Sequence, residues 1–192
     1  SGLDYFDLDT QHFFHVQSNS TDENSLKAIA LNNLYEDNSG GIWIGTWHGG
    51  LSYLQKGYRK FQHFKKDGSN NSLSSDLVQA VVTDKDGNLW IGTEEGGGLN
   101  YYSPTEKTFK TIVAPPIVGN KHLGSLNIKS LLCSRSGQIW LGTIEGLDMY
   151  DPLTLKWTHY CNDRDDIKSI MPGFINSLLE DAQGNIWAGI SG

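Results

Sequence analysis

Trp47 and His48, followed further along the chain by Glu94, Glu95 and Glu145, are the residues whose types could do chemistry, and each sits in a short stretch bounded by glycine. An exposed indole gives a flat apolar face on which a sugar ring can stack, while carboxylates and an imidazole exchange hydrogen bonds with ring hydroxyls. The same set holds the one acid–base combination that catalysis could use, His48 with Glu94 or Glu145. His15, His63 and His159 each follow an aromatic residue by two positions (Phe13, Phe61 and Trp157), and this recurrence assigns them to the scaffold. His12 and His122 have no acidic or cysteine neighbour at a useful spacing, so no catalytic residue is assigned.

Other chemistry is excluded residue by residue. Asp84, Asp86 and Gly87 look like the start of a calcium loop, yet the closing acid would be Glu95, with the strand-like Leu89 to Thr93 in between, which makes the segment a turn. Glycines 96–98 precede no helix that could offer phosphate its N-terminus. Cys133 and Cys161 lack the spacing of a zinc or redox site, and their places in the repeat lie about three strand spacings, or roughly 14 Å, apart, so free thiols are expected. No motif calls for a cofactor or a metal.

A repeat positions these residues. GGIWIGT, GNLWIGT, GQIWLGT and GNIWAGI place tryptophans at 43, 90, 140 and 187, each with a glycine three residues before and another two residues after. Upstream, Leu34, Val81, Leu131 and Leu178 mark a first strand that ends at Asp37, Asp84, Ser134 and Asp181. The glycine three residues on from each (40, 87, 137 and 184) suits a tight turn with positive φ, and the tryptophan lies on the second strand. A third strand follows the glycines after WIGT. An aromatic fourth strand is marked by Phe13, Phe61, Phe109 and Trp157, spaced 48 apart. A period near 47 with four strands per copy predicts an all-β chain of four-stranded antiparallel propeller blades, forming a partial propeller. The blades are expected at 29–64, 78–112 and 128–160, with half blades at 2–16 (outer strands) and 175–190 (inner strands). Apolar residues occupy both alternation phases because both faces of a blade pack on neighbours, so all four indoles are expected to be buried between blades.

Composition agrees. Of 192 residues, 11% are aromatic and only 19% charged, which suits a folded chain. Lys and Arg number 15 against 22 Asp and Glu, a net charge of −7, which removes nucleic acid and an anionic membrane surface as partners. No run of about 18 apolar residues is present, and the start, SGLDYFDLD, lacks the basic and apolar regions of a signal peptide, so the chain reads as soluble and trimmed, with no membrane contact of its own.

The pattern D-x-x-G-x-[IL]-W-[IL]-G-T-x-x-G-[GL], with an S-L step before it at Ser25–Leu26, Ser72–Leu73 and Ser125–Leu126, resembles the two-component regulator propeller repeat. Ser134 departs from the turn aspartate, Ala188 and Ile190 from the last WIGT, and Ser169–Ile170 from S-L. The resemblance implies a non-catalytic, periplasmic sensor region of a hybrid two-component histidine kinase and response regulator, recognising an oligosaccharide or supporting ligand-induced signalling. The alternatives are an enzyme like the antibiotic-inactivating propeller lyases, whose repeat is similar, and a scaffold that only holds other blades apart.

In a meander, the first and third turns lie on one face of the disc and the second turns and blade-to-blade linkers on the other. The second turns vary (Trp47–His48, Glu94–Glu95, Ile144–Glu145), as do the linkers KKDGSNNSLSSD, APPIVGNKHLGS and NDRDDIKSIMPG, so the ligand-binding set is assigned to that face. A second polar row, Asn32, Gln79, Lys129 and Asn176, should line the central channel, where ordinary hydration is its simplest role. The half blades present complementary edges, which predicts a homodimer or other homo-oligomer.

Overall fold

The computed structural model describes residues 2–19, 21–27, 30–114 and 126–192. Ser125 and His122, with nearly all of the linker that begins at Ala114, lie outside the described residues, as does Ile29. The described residues are all-β. They form one two-stranded sheet, β1 (Gly2–Asp7) and β2 (His12–Gln17), then three four-stranded sheets, then another two-stranded sheet. The four-stranded sheets are β3 (Leu31–Glu36), β4 (Ile42–Thr46), β5 (Leu51–Leu54) and β6 (Phe61–Phe64); β7 (Val78–Thr83), β8 (Leu89–Thr93), β9 (Gly98–Ser103) and β10 (Thr108–Ile112); and β11 (Ile128–Cys133), β12 (Ile139–Thr143), β13 (Leu147–Asp151) and β14 (Lys156–Tyr160). The last pair is β15 (Phe174–Glu180) and β16 (Ile186–Ser191). Every pairing is antiparallel between consecutive strands, the order of a propeller blade.

Local chemistry dictates each first turn. Asp37 Oδ1 accepts the backbone N–H groups of Ser39 at 2.9 Å and Gly41 at 3.0 Å, and Gly40 takes φ +79° between them. Gly87, Gly137 and Gly184 repeat that conformation at +82°, +87° and +88°, where a side chain would be strained. The serine of the S-L step closes the linker: Ser25 Oγ accepts from the Asn19 N–H at 3.0 Å, as Ser169 Oγ does from Asp163 at 2.9 Å. Leu26 and Leu73, which follow the motif serines Ser25 and Ser72, are fully buried.

First strands lie against one another, β3 on β7, β7 on β11 and β11 on β15, so they form the inner wall. Each carries a bulge, between Leu31 and Asn33, Val78 and Ala80, Ile128 and Ser130, and Ile175 and Ser177. The residue left over in each bulge is Asn32, Gln79, Lys129 or Asn176, the polar row itself, so the bulge is what releases these side chains from the sheet's alternation. The glycine two residues after Trp43, Trp90 and Trp140 allows the next first strand to come close. A Cβ at Gly92 would meet Ile128 Cγ2 at 2.5 Å, and one at Gly142 would meet the Ile175 carbonyl at 2.5 Å.

The core lies between sheets. Trp43 packs with Leu51, Val78, Ile91, Tyr102 and Phe109, and Trp90 with Ile128, Leu141 and Tyr150. Burying each such large side chain contributes about 1.5–3 kcal/mol. The expectation that all four indoles are buried fails at the far end: Trp43 and Trp90 are 3% and 4% exposed, Trp140 is half-buried, and Trp187 is 62% exposed. The reason is geometric. The aromatics that cover Trp43 and Trp90 come from the third and fourth strands of the following sheet. Among the described residues the sheet that follows Trp140 consists of β15 and β16 alone, and no sheet packs over Trp187.

Candidate functional site

The second turns and linkers share one face, because backbone hydrogen bonds stitch them together. The Trp47 N–H donates to Ala30 O at 3.0 Å, Gly50 N–H to Asp76 O at 2.8 Å, Glu94 N–H to Leu77 O at 3.1 Å, and Gly98 N–H to Leu126 O at 3.0 Å. The tips between are therefore held on a rigid frame. Trp47 is 50% exposed, with its ring centroid 5.5 Å from that of His48 and the planes at 89°. His48 and Glu95 adopt left-handed φ values of 57° and 56° at equivalent places in consecutive sheets. Gln11, Lys107 and Leu155 do the same in third turns, so this conformation is a feature of turn geometry in the repeat.

His48 Nδ1 lies 3.8 Å from Glu95 Oε2, bringing together the second-turn tips of two adjacent sheets. Glu94 points elsewhere. It is nearly buried and forms an ion pair with Lys129, which reaches it from the bulge of β11. That pair joins the turn set to the channel row, a connection sequence reasoning missed. It engages Glu94 away from the turn tip and holds Lys129 beside the groove that runs along the first strands. Glu145 is exposed, and its backbone N–H donates to Thr143 Oγ1 at 3.1 Å. The acid–base pairing of His48 with Glu94 is not formed, since the carboxylate is turned to Lys129.

Asn32, Gln79, Lys129 and Asn176 line an open groove of about 600 Å³ along the first strands. Asn32 Nδ2 donates to Val78 O at 3.0 Å, and Asn176 Nδ2 to Ser191 Oγ at 2.7 Å. A smaller depression of about 390 Å³ on the opposite face, among Asp84, Lys85, Trp90, Arg135 and Leu153, contains none of the candidate residues.

The recurrent histidines are cross-strand partners of the third strand. His15 Nδ1 meets Asp4 Oδ1 at 2.7 Å, His63 Nδ1 meets Ser52 Oγ at 2.9 Å, and His159 bonds to Asp148. Each pair is directly opposed in register. Burial pushes the Asp148 carboxyl up, against the pull of the His159 hydrogen bond. Burial, with Lys27 and Lys65 nearby, lowers His63. Cys133 and Cys161 are free thiols, and burial pushes the Cys133 thiol up.

Three segments, residues 25–48, 72–95 and 169–192, match the family model described as two component regulator propeller. The copy that goes unmatched is the one whose turn holds Ser134. In structure, the chain is similar to the extracellular domain of BT4673 from B. thetaiotaomicron, at 25% identity and a TM-score of 0.78 over 98% of this chain and 24% of that one. The two structures of that domain ascribe it to a one-component and to a hybrid two-component system. The extracellular domain of BT3049 from the same organism, ascribed to a hybrid two-component system, matches at 25% identity and a TM-score of 0.69 over 96% of this chain and 23% of that one. Virginiamycin B lyase from Staphylococcus aureus shares the fold at 10% identity, with a TM-score of 0.67 over 96% of this chain and 55% of that one. The chain spans about a quarter of the length of the two extracellular domains. No curated protein sequence matches it.

Proposed function

This chain is built of two-component regulator propeller repeats, and on that premise we propose that it is a non-catalytic segment of the extracellular sensor region of such a regulator, binding an oligosaccharide on its second-turn face. The observation that carries the reading is the convergence of Trp47, His48 and Glu95 from adjacent blades on a face braced by linker hydrogen bonds. Trp47 supplies the stacking surface, and His48, Glu95 and Glu145 supply hydroxyl partners. Glu94, held by Lys129, positions its turn without touching the ligand. Two of these blade tips belong to consecutive repeats, so a ligand spanning them would report on the angle between blades, which is the property a sensor needs to transmit.

Calorimetric titration with a panel of neutral and amino-sugar oligosaccharides tests the reading. Wild-type chain is expected to bind at least one member, and Trp47→Ala to weaken that binding at least tenfold, the order of one lost stacking contact worth about 1–3 kcal/mol. Binding that is unchanged in Trp47→Ala, or absent from both this chain and the longer sensor, would overturn it. Binding by the longer sensor alone would make this segment a scaffold.

A further inference from the structure

The hairpin of β5 and β6 carries the densest run of positive charge in the chain. Residues 51–66 contain Lys56, Arg59, Lys60, Lys65 and Lys66 and no Asp or Glu, in a protein whose net charge is −7. All five cations are exposed, and none is ion-paired: among the described residues the Lys and Arg in ion pairs are Lys129 and Arg135. The linker that carries Asp22 and Glu23 meets β6 where the Phe61 N–H donates to Asn24 O at 2.8 Å, without pairing to these cations.

Lys56, Arg59 and Lys60 sit in the third turn of that sheet, whose conformation is its own. Elsewhere the residue that ends the third strand caps the turn: Asp7 Oδ1 accepts the N–H groups of Asp9 at 3.0 Å and Thr10 at 2.8 Å, Asp151 Oδ1 that of Leu153 at 2.9 Å, and Ser103 Oγ that of Glu106 at 3.3 Å. By register the corresponding residue here is Gln55, whose longer side chain makes no such cap. The turn closes instead through the Tyr58 N–H on Gln55 O at 3.0 Å, and the left-handed conformation moves to Gly57 at φ +79°. The ladder stops at Leu54 opposite Phe61, one pair earlier than between β9 and β10, where Ser103 opposite Thr108 follows Tyr102 opposite Phe109. KGYRK (56–60) is thereby left on an open turn, where the other third turns carry LDTQH, PTEKT and PLTLK, so neither its charge nor its tyrosine belongs to the repeating scaffold. Tyr58 is 61% exposed, and among the described residues its hydroxyl has no hydrogen-bond partner and its ring meets no other ring. The other exposed rings of the four-stranded sheets are engaged, Trp47 edge-on to His48 and Tyr160 stacked on Trp140 at 5.9 Å.

We propose that the turn from Lys56 to Lys60 binds an acidic saccharide, a uronate carboxylate or sulfate ester held by Arg59 and the two lysines while the sugar ring lies on Tyr58. Lysine and arginine offer donors and no acceptors, which selects an anion, and the guanidinium fork matches two oxygens of either group. One turn takes a ligand of a few charges. A long polyanion would be repelled by the acidic remainder of the chain, which sets this surface apart from one for nucleic acid. A Cβ at Gly40 would lie 2.8 Å from Lys56 Cδ, so the lysine stands over the first turn of its own sheet. The site is therefore on the face of the disc opposite Trp47 and independent of the one proposed above.

Calorimetric titration of the unaltered chain with tetragalacturonate, its methyl ester, a sulfated galactan tetrasaccharide and tetrathymidylate tests the proposal. At least one of the two acidic saccharides is expected to bind, the one that does identifying the anion, and the methyl ester is not. Arg59→Gln combined with Lys60→Gln, and separately Tyr58→Ala, should weaken that binding at least about tenfold, the order of a lost charge-assisted hydrogen bond or stacking contact. Lys65→Gln combined with Lys66→Gln removes the same charge from the other end of β6 and should leave binding unchanged, as should Trp47→Ala. No binding of either acidic saccharide, or an equal loss in the Lys65 and Lys66 variant, would overturn the proposal. So would tetrathymidylate binding as tightly as the saccharides, which would make the surface one for nucleic acid, or loss of binding in Trp47→Ala, which would place the ligand on the second-turn face. Should Tyr58→Ala fail to fold, the two glutamine pairs, all at exposed positions, decide the matter.

Discussion

The indole N–H of Trp43 donates to Asp37 Oδ2 at 2.8 Å, so the aspartate that shapes the first turn also anchors the tryptophan six residues later. Trp90 makes the same bond to Asp84 at 3.2 Å and Trp187 to Asp181 at 2.8 Å. Trp140 does not: its turn holds Ser134, whose hydroxyl is engaged with Ser136 and Gln138, and its indole N–H is buried without a partner. A buried donor left unpaired costs about 1–3 kcal/mol, so the third repeat carries a local defect.

Repairing that defect should stabilise the chain. Ser134→Asp is expected to raise the unfolding free energy by about 1 kcal/mol, and Asp37→Ala to lower it by about 1–3 kcal/mol by orphaning Trp43. Urea denaturation followed by tryptophan emission measures both. A neutral or destabilising Ser134→Asp would mean that the turn cannot accept a carboxylate there.

The same bonds make the fold sensitive to acid. Hydrogen bonds from Trp187 and Asn185 hold Asp181 at about 2. At Asp37 burial pushes upward, but the Ser39 hydroxyl, the Trp43 indole and the backbone N–H groups of Gly41 and Ser39 outweigh it and lower the carboxyl. A carboxyl lowered in the folded state binds its proton more readily once unfolded. Its contribution is therefore complete above about pH 4 and is lost as the pH falls towards about 2. Urea midpoints across that window should decline, and Asp37→Asn should decline less steeply than wild type. An equal slope in the two proteins would dissociate Asp37 from the effect.

Glycine two residues after the tryptophan should matter only where another sheet follows. A Cβ at Gly142 would lie 2.2 Å from Ser130 Oγ and 2.5 Å from the Ile175 carbonyl, whereas at Gly189 only the rotatable Ser177 hydroxyl is nearer than 3.7 Å. Gly142→Ala is expected to cost about 1–3 kcal/mol through overpacking, and Gly189→Ala much less. Equal losses, read from thermal or urea unfolding, would show that strand conformation and not inter-sheet approach selects glycine.

The three cross-strand histidines should differ by burial. The side chains of His159 and Asp148 are 4% and 1% exposed, while those of His15 and Asp4 are 64% and 56% exposed. Removing one member of the buried pair, as in His159→Ala, is expected to cost about 3–5 kcal/mol. His15→Ala should change stability by only about 0–1 kcal/mol, because solvent screens its partner. Similar costs at both positions would contradict the assignment of His159 and Asp148 to the interior.

The period made most of the fold legible, because tryptophan, turn aspartate and glycine return at nearly fixed intervals and each has a local job. The six-residue step from Asp37 to Trp43 was visible in the same way, yet its hydrogen bond depends on the indole folding back over the turn, which spacing alone does not reveal. Trp187 defeated the expectation of burial because its cover must come from another sheet, a non-local fact. Of the candidate site, the exposure of Trp47 and the shared face followed from topology. The capture of Glu94 by Lys129 did not, since it joins residues 35 apart through a bulge that the alternation pattern hides.

The most direct test of the functional account is nuclear magnetic resonance of the labelled chain titrated with an oligosaccharide that calorimetry shows to bind. The predicted result is a shift of the Trp47 indole N–H together with the backbone amides of His48 and Glu95, while the amides of the first turns, Ser39 and Asp86 among them, stay in place. Shifts concentrated at Ser39, Asp86 and their neighbours, with Trp47 unmoved, would contradict it and move the site to the opposite face of the disc.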